Sequence, residues 1–370
     1  MNKHEFYMKK VLELAEKGRG TTSPNPMVGA LVVKNGKIIA SAYHRQPGGL
    51  HAEAIALRKA GQKAKGASLY VNLEPCAHLG RTSPCVKAII KSGIRQVYCS
   101  MIDPNPLNNG KGKKELEKND IKVSVGLLDK EAWKLNEVFI KYVTKKMPFV
   151  TIKAAESLDG KIATKTMDSK WITTEASRDY SHALRSEMDA VLVGVNTIAR
   201  DNPILTSRRN RSPIKIVLDS NLRVPEGAKI FSKKYLALNI VAILRRSLKE
   251  PSISKKVERF NKRGILVVAC PSRNNRIDLR WLLKELAEFE ISRLLVEGGG
   301  DTISGFLEQG LADRVLFFIA PKIIGGRAAV TSVEGKGVDK VSQAIELEDV
   351  KVEMIGKDIL VSGRTKNFTK

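Results

Sequence analysis

His51-Ala52-Glu53, followed by Pro75-Cys76 and, after eight intervening residues, by Cys85, constrains this chain more than any other feature. One imidazole and two thiolates suit Zn²⁺ and leave a fourth tetrahedral position open, as a catalytic rather than a structural zinc site requires. A metal held in this way lowers the pKa of water toward neutrality. Glu53 is not needed as a ligand, and its carboxyl can shuttle a proton to a leaving amine.

The spacing dictates local structure. His51 and Glu53 open an apolar-periodic segment (Ala54, Ile55, Leu57, Ala60). Positions i and i+2 do not share a face in mid-helix, so both reach one metal only from the cap and first turn of a helix beginning there. Cys76 follows a strand-like run, Leu69-Tyr70-Val71-Asn72-Leu73. The polar loop 77–84 ends in Pro, and an apolar helical pattern follows (Val86, Ala88, Ile89, Ile90). Pro is tolerated in a first helical turn, which puts Cys85 at a helix N-terminus, where the dipole favours a thiolate. Singly, each residue has a plainer role, since Cys is often simply buried. The four together, ahead of helix starts, point to a metal.

His-x-Glu followed by Pro-Cys is the zinc-deaminase signature, whose usual second half is Pro-Cys-x-x-Cys. Here the Cys–Cys loop is longer. Thr22-Ser23-Pro24-Asn25-Pro26-Met27-Val28-Gly29 precedes the His, Glu74-Pro75-Cys76-Ala77-His78-Leu79-Gly80-Arg81-Thr82 surrounds the first Cys, and Asp103-Pro104-Asn105-Pro106 follows the second. Together these resemble the deaminase half of the bifunctional riboflavin-biosynthesis deaminase/reductase family, in which the long loop is the usual form. The resemblance implies a cytidine-deaminase-like fold, one zinc per chain on His51, Cys76 and Cys85, and Glu53 as proton donor. It also implies deamination of a diaminopyrimidinone ribosylamine 5′-phosphate to the matching uracil. Asn25 can both donate and accept and is a candidate for holding the ring or ribose, although Pro24-Asn25-Pro26 is equally turn-like. His44, His78, Arg81 and Asn105 either line the same mouth or are solvated loop residues.

Element signals place a domain boundary at Lys145-Lys146-Met147-Pro148, giving units 1–146 and 147–370. In the first, a helix over 3–18 precedes strands at 28–33 and 37–43 joined by Asn35-Gly36, a strong hairpin signal. Helix 52–61, strand 68–73, helix 85–92, strand 95–101, a helix near 113–118 and a strand near 121–125 then alternate, a three-layer α/β pattern. A charged helical connector, 129–146, closes it. The second unit reads as strand 149–155, helix 175–187, strands at 190–195, 214–218, 239–244 and 265–269, helix 278–288, and strands at 293–297 and 314–320.

The sharpest local feature of the second unit is Leu294-Leu295-Val296-Glu297-Gly298-Gly299-Gly300-Asp301-Thr302. A buried strand runs into glycines and then a helix, whose N-terminus offers free N–H groups to phosphate. The last glycine of a dinucleotide fingerprint is replaced by Ile303, so a Rossmann assignment fails. With Ser157-Leu158-Asp159-Gly160-Lys161, Ser169-Lys170-Trp171, Gly194-Val195-Asn196-Thr197 and Asp201-Asn202-Pro203, this resembles the reductase half of the same family, which is similar to dihydrofolate reductase in fold. The resemblance implies NADPH and reduction of the ribosylamino group to a ribitylamino group. It puts the cofactor on Ala155, Trp171, Thr197, Asp201, Ser220, Gly299, Gly300, Asp301, Thr302, Ile303, Ser304 and Gly305, and the substrate on Ser169, Arg185, Leu205, Arg208 and Glu297. Guanidinium forks match phosphate oxygens, which suits Arg185 and Arg208. Hydride transfer to an imine at C1′ calls for a nearby acid, and Lys153 and Glu297 are candidates, with a strand-end ion pair the alternative.

Composition narrows the partners. The formal charge is +25, high enough to raise nucleic acid. Yet 26 basic residues stand against 12 acidic in 1–146, and 38 against 27 in 147–370, with aromatics at only 5%. Without a basic tail or a stacking surface, a Lys-rich solvated exterior and a phosphorylated small substrate fit better than nucleic acid. No run of 18 apolar residues spans a membrane. Four Cys make a poor disulfide framework, and Cys99 and Cys270 lie in strand-like stretches as core thiols, all in keeping with a reducing cytoplasm. The resemblance suggests a homodimer through the reductase halves. A nucleic-acid deaminase with an accessory domain leaves the second unit unexplained, and a zinc-stabilised binding module has no use for Glu53.

Overall fold

Asn35 and Gly36 both take left-handed φ, 49° and 75°, the conformation that two-residue hairpins favour, and join β1 (Gly29–Lys34) to β2 (Lys37–Tyr43). The computed structural model describes residues 2–80, 83–207, 212–232 and 238–366; Arg81 and Arg208 lie outside them. The chain divides into two units, Met1–Met147 and Pro148–Lys370. Among the described residues no helix is long and apolar enough to cross a membrane.

The first unit adds α1 (Lys3–Glu16), α2 (Ala52–Ala60), β3 (Ser68–Val71), α3 (Cys85–Lys91), β4 (Gln96–Cys99), α4 (Lys111–Lys118), β5 (Lys122–Val125), α5 (Asp129–Leu135) and α6 (Glu137–Lys145). Its sheet runs β2-β1-β3-β4-β5, with β1 antiparallel to both neighbours and β3, β4 and β5 parallel. One face packs Ala30, Val32, Leu69, Val71 and Val97 against Ala52, Ala56 and Leu57 of α2 and Ile89 of α3. The other packs Leu31, Val33 and Tyr70 against Tyr7, Met8 and Val11 of α1. Three layers result. Gly29 allows α1 to lie this close, since a Cβ there would sit 2.2 Å from the Val11 carbonyl oxygen. The expected single connector over 129–146 is two helices. Asn136 separates them, accepting from Met27 N (2.8 Å) and donating to Met27 O (3.0 Å), so its side chain ties the break to the start of the sheet.

The second unit contains β6 (Phe149–Ser157), β7 (Lys161–Ala163), α7 (Glu175–Glu187), β8 (Ala190–Gly194), α8 (Val195–Asp201), β9 (Ile214–Leu218), β10 (Asn239–Leu244), α9 (Pro251–Lys262) and β11 (Ile265–Cys270). After them come β12 (Ser272–Arg273), β13 (Arg276–Ile277), α10 (Leu279–Glu288), β14 (Arg293–Val296), α11 (Gly300–Glu308), β15 (Arg314–Ala320), β16 (Val330–Thr331), β17 (Leu347–Ile355) and β18 (Asp358–Thr365). Nine strands form one sheet in the order β11-β10-β9-β8-β14-β6-β15-β18-β17. All pairs are parallel from β11 to β15, and β18 and β17 close the edge antiparallel. Parallel strands buried on both faces read as continuous apolar runs, and β14 is buried along its whole length. Cys99 and Cys270 are fully buried.

Candidate active sites

In the first unit the metal-type residues meet at the ends of three elements. His51 is the N-cap of α2, with extended backbone (φ −70°, ψ 159°), and Glu53 lies in the first turn. Cys85 is the first residue of α3, after Pro84. Cys76 stands in the loop after β3, where Cys85 N donates to its sulfur at 3.3 Å. The ligand atoms of His51, Cys76 and Cys85 all lie within 4.8 Å of one another. His51 Nδ1 faces both sulfurs, at 3.2 Å from Cys85 Sγ and 3.5 Å from Cys76 Sγ. One nitrogen and two sulfurs converging on one point fit a zinc ion with a coordination position to spare.

The electrostatics assign roles within the group. Cys76 carries the more acidic thiol: Cys85 donates to it, and His51 adds to the effect. Cys85 moves the other way, raised by that same hydrogen bond and by burial. As ligands of one zinc ion both would be thiolates, and the dipole at the head of α3 favours that form at Cys85. Glu53 is 4% exposed, and burial pushes its carboxyl above the usual range, as suits a group that must hold and release a proton.

Around this group, Asn25 Nδ2 donates to His44 Nε2 at 3.0 Å, while His44 Nδ1 lies 3.2 Å from the Leu50 carbonyl oxygen. The pairing requires the neutral Nδ1–H tautomer, and burial lowers the pKa of His44 accordingly. The His44 ring stands edge-on to His51, centroids 5.4 Å apart. His78 follows Cys76 by two residues, half-buried. Asn105 spends its side chain on its own loop, accepting from Leu107 N at 3.0 Å.

In the second unit the glycine turn lines a cleft of about 280 Å³. Ser169, Thr197, Asp201, Gly299, Gly300, Asp301 and Thr302 all face it, and Ser169 Oγ donates to Asp201 Oδ1 at 3.3 Å. The glycines have separate tasks. A Cβ on Gly298 would meet Thr302 Cβ at 2.5 Å, and one on Gly300 would meet the Thr331 carbonyl and Glu334 Cγ at 2.6 Å. A Cβ on Gly299 would meet nothing within 4 Å. Gly298 and Gly300 therefore serve packing, and Gly299 presents bare backbone to the cleft at the head of α11. An open cleft over a nine-residue helix's N-terminus suits the phosphates of a dinucleotide.

The other expected residues are not among those lining this cleft. Ile303 and Ser304 are 1% exposed, inside α11, and Gly305 packs toward Leu279. Leu205, at a left-handed φ of 55°, packs its side chain into the core with Ile198 and Met188. Ala155 pairs with Phe318 in the sheet. Ser220 accepts from Leu244 N at the end of β10. Trp171 is 63% exposed, with the Arg178 guanidinium 4.5 Å over its ring.

Arg185 makes a bidentate pair with Glu297, Nε–Oε1 2.6 Å and NH2–Oε2 2.7 Å. Burial pushes the Glu297 carboxyl up, but Arg185 and Lys153 outweigh it and hold it below the usual range. Lys153 lies beside them with its ammonium 5.5 Å from the centre of the Phe318 ring, its pKa lowered by burial. Of the phosphate clamp expected from two arginines, Arg185 is thus committed to a carboxylate.

Comparison with known proteins covers both units. Residues 1–101 match the cytidine and deoxycytidylate deaminase zinc-binding region, and residues 148–361 match the RibD C-terminal domain. The riboflavin biosynthesis protein RibD of Aquifex aeolicus is 44% identical over 96% of both chains. This chain belongs to the RibD family. Its fold is a cytidine-deaminase-like unit followed by a dihydrofolate-reductase-like unit, and it is a bifunctional deaminase and reductase of riboflavin biosynthesis. RibD of Acinetobacter baumannii superposes with a TM-score of 0.87 at 32% identity, over 98% of this chain and 99% of the other. A diaminohydroxyphosphoribosylaminopyrimidine deaminase/5-amino-6-(5-phosphoribosylamino)uracil reductase from Thermotoga maritima is 38% identical with a TM-score of 0.84, over 98% and 99%. A nucleic-acid deaminase with an accessory domain is not favoured, because the RibD match accounts for the second unit.

The scaffold of the deaminase site rests on residues far apart in the chain. Glu74, 3% exposed, accepts from Asp103 N, Gly110 N and Lys113 N at 2.9–3.0 Å. Asn108 accepts from Ala77 N at 2.9 Å. Gly112 brings α4 against Pro75, whose carbonyl oxygen would be 1.9 Å from a Cβ there. One buried carboxylate thus braces the Cys76 loop against the loop that follows β4. In the sequence Glu74 shows only as the acid that opens the Glu74-Pro75-Cys76 motif, with nothing to mark its bracing role. On the reductase side, Asn196, Arg200 and Glu334 also line the cleft, with no local sequence signal to mark them.

Proposed function

We propose that the first unit hydrolytically deaminates 2,5-diamino-6-(5-phosphoribosylamino)pyrimidin-4-one to 5-amino-6-(5-phosphoribosylamino)uracil, and that the second reduces the ribosyl group with NADPH to give the ribityl product. The observation that carries the reading is the convergence of His51, Cys76 and Cys85 within 4.8 Å, beside a buried Glu53. One zinc ion per chain, held by those three side chains, would make water nucleophilic near neutral pH. Glu53 takes the proton from the attacking water and delivers it to the departing amine. Asn25, hydrogen-bonded to His44, holds the pyrimidine or ribose.

In the second unit Gly299, Gly300, Asp301 and Thr302 hold the dinucleotide, which would supply the hydride. Lys153, with Glu297 and Arg185 ordering its surroundings, donates the proton that makes C1′ electrophilic as the ribosylamine opens. Ser169 and Asp201, hydrogen-bonded to each other, position the reacting groups. The working form is a cytoplasmic homodimer through the reductase units. Its support is the edge strand β17, where exposed Val350, Val352 and Met354 alternate with Asp349, Lys351 and Glu353, because an unpaired edge strand is a template for pairing. To test the two activities, the purified chain is given the diaminopyrimidinone phosphate with and without NADPH. A mass gain of oxygen for NH alone is expected without NADPH, and the ribityl product with it. Unchanged substrate in both arms would sink the reading.

A further inference from the structure

Thr206 lies between two buried neighbours, Leu205 and Ser207, and Leu205 turns the backbone there through a left-handed φ of 55°. The Thr206 carbonyl oxygen accepts from two side chains of α7, His182 Nδ1 at 3.0 Å and Arg185 NH1 at 3.3 Å. Residues three apart on a helix are neighbours on one face, so both reach the same atom. A carbonyl oxygen only accepts, so Nδ1 of His182 carries a proton, and the two donors occupy both lone pairs of the oxygen.

Arg185 also places Nε and NH2 on the Glu297 carboxylate, at 2.6 and 2.7 Å. Two parallel bonds along one edge of a planar guanidinium leave its plane able to tip about that edge. The bond from NH1 to Thr206 removes this freedom. It is the longest of the three, and it depends on where the Thr206 oxygen is held. His182 makes the shorter bond to that oxygen. The Lys153 ammonium feels the result: burial lowers its pKa, Glu297 opposes that, and Arg185 adds to it. A displaced guanidinium therefore alters the balance around the proton donor.

We propose that His182 is a positioning residue of the reduction: by holding the Thr206 carbonyl it sets the plane of Arg185 against Glu297 and so the surroundings of Lys153. This rests on the reading of Lys153 as proton donor and adds the residue that orders its partners. His182 is not among the residues lining the dinucleotide cleft, and it acts through Thr206 and Arg185.

The test uses the full chain and follows single-turnover oxidation of bound NADPH by added 5-amino-6-(5-phosphoribosylamino)uracil. His182→Ala should slow this step about 3- to 10-fold, the worth of one hydrogen bond between neutral groups. The half-saturating substrate concentration, NADPH binding and deamination should stay within about twofold of the parent, as for an interaction felt in the transition state alone. His182→Gln fills the space but carries its donor one bond further out, and should be slowed equally. His182→Asn, whose amide nitrogen is attached as Nδ1 is, should recover most of the loss. The decisive arm is a double-mutant cycle with Arg185→Lys, which keeps the charge and gives up the fork. In that background His182→Ala should cost less than about twofold more, because the two side chains act as one unit. Losses that multiply, an asparagine variant as slow as the alanine one, or a loss confined to substrate affinity would each overturn the inference. Lys153→Met separates the two levels. Reduction that survives it overturns the proton-donor reading and the inference together. Reduction lost in Lys153→Met but unchanged in His182→Ala overturns the inference alone.

Discussion

At the deaminase site the chemistry sits in four side chains, each fixed at a helix start or in a braced loop, and the three ligand atoms already lie within 4.8 Å. At the reductase cleft it sits largely in backbone, in the turn at Gly299 and the head of α11, with charged side chains around a cavity of about 280 Å³. The first arrangement fails all at once when one donor is lost, because a zinc site needs its whole ligand set. The second loses affinity by degrees, because each phosphate contact contributes separately. The contrast also separates two kinds of glycine. A Cβ on Gly298 would run into Thr302 and one on Gly300 into Thr331 O and Glu334, while Gly299 faces the space a ligand would fill.

The contrast breaks first at the cysteines. Cys76→Ser or Cys85→Ser should drop metal content from about one zinc per chain to none and abolish deamination, while reduction of added aminouracil phosphate continues. Metal analysis finding full zinc in either variant would remove that residue from the ligand set. Next, Glu53→Gln should keep its zinc and lose roughly 10²-fold or more in deamination rate, and near-normal turnover would end its role as proton carrier.

The smallest effect tests the glycines against each other. Gly299→Val should melt near the parent without ligand, since its φ of −68° suits any residue, yet gain less stability from NADPH. Tenfold weaker binding removes about 1.4 kcal/mol of that gain. Gly300→Ala, forced against Thr331 O and Glu334, should instead cost about 1–3 kcal/mol of the reductase unit's own stability. An unchanged NADPH-induced shift in Gly299→Val would show that the turn does not hold the cofactor.

These differences explain what could be read from the chain. His51, Glu53, Cys76 and Cys85 were legible because rare residue types at helix starts admit few other uses. The hairpin at Asn35-Gly36 and the buried strands of both sheets were legible from local chemistry. Helix α9 was missed although Ile253, Val257 and Phe260 mark its inner face, because its charged exterior masked them. The β17–β18 pair was missed for a different reason: β17 is exposed on both faces, so no alternation marks it. Glu74 and the Arg185–Glu297 pair were out of reach, since their partners lie far along the chain and only the fold brings them together.

The position of β6 bears on how the two activities come into being. β6 opens the second unit, yet its neighbours in the sheet are β14 and β15, with Phe149 opposite Arg293 and Thr151 opposite Arg314. Every residue of the first sheet has left the ribosome before β6 does, and β6 must then wait for most of its own unit to be made. Pairings between segments so far apart in the chain form slowly, and an unpaired apolar strand invites wrong partners meanwhile. A nascent chain therefore carries His51, Cys76 and Cys85 complete well before it has the strands that border the cleft, and a message cut short keeps the first set of residues and never the second alone.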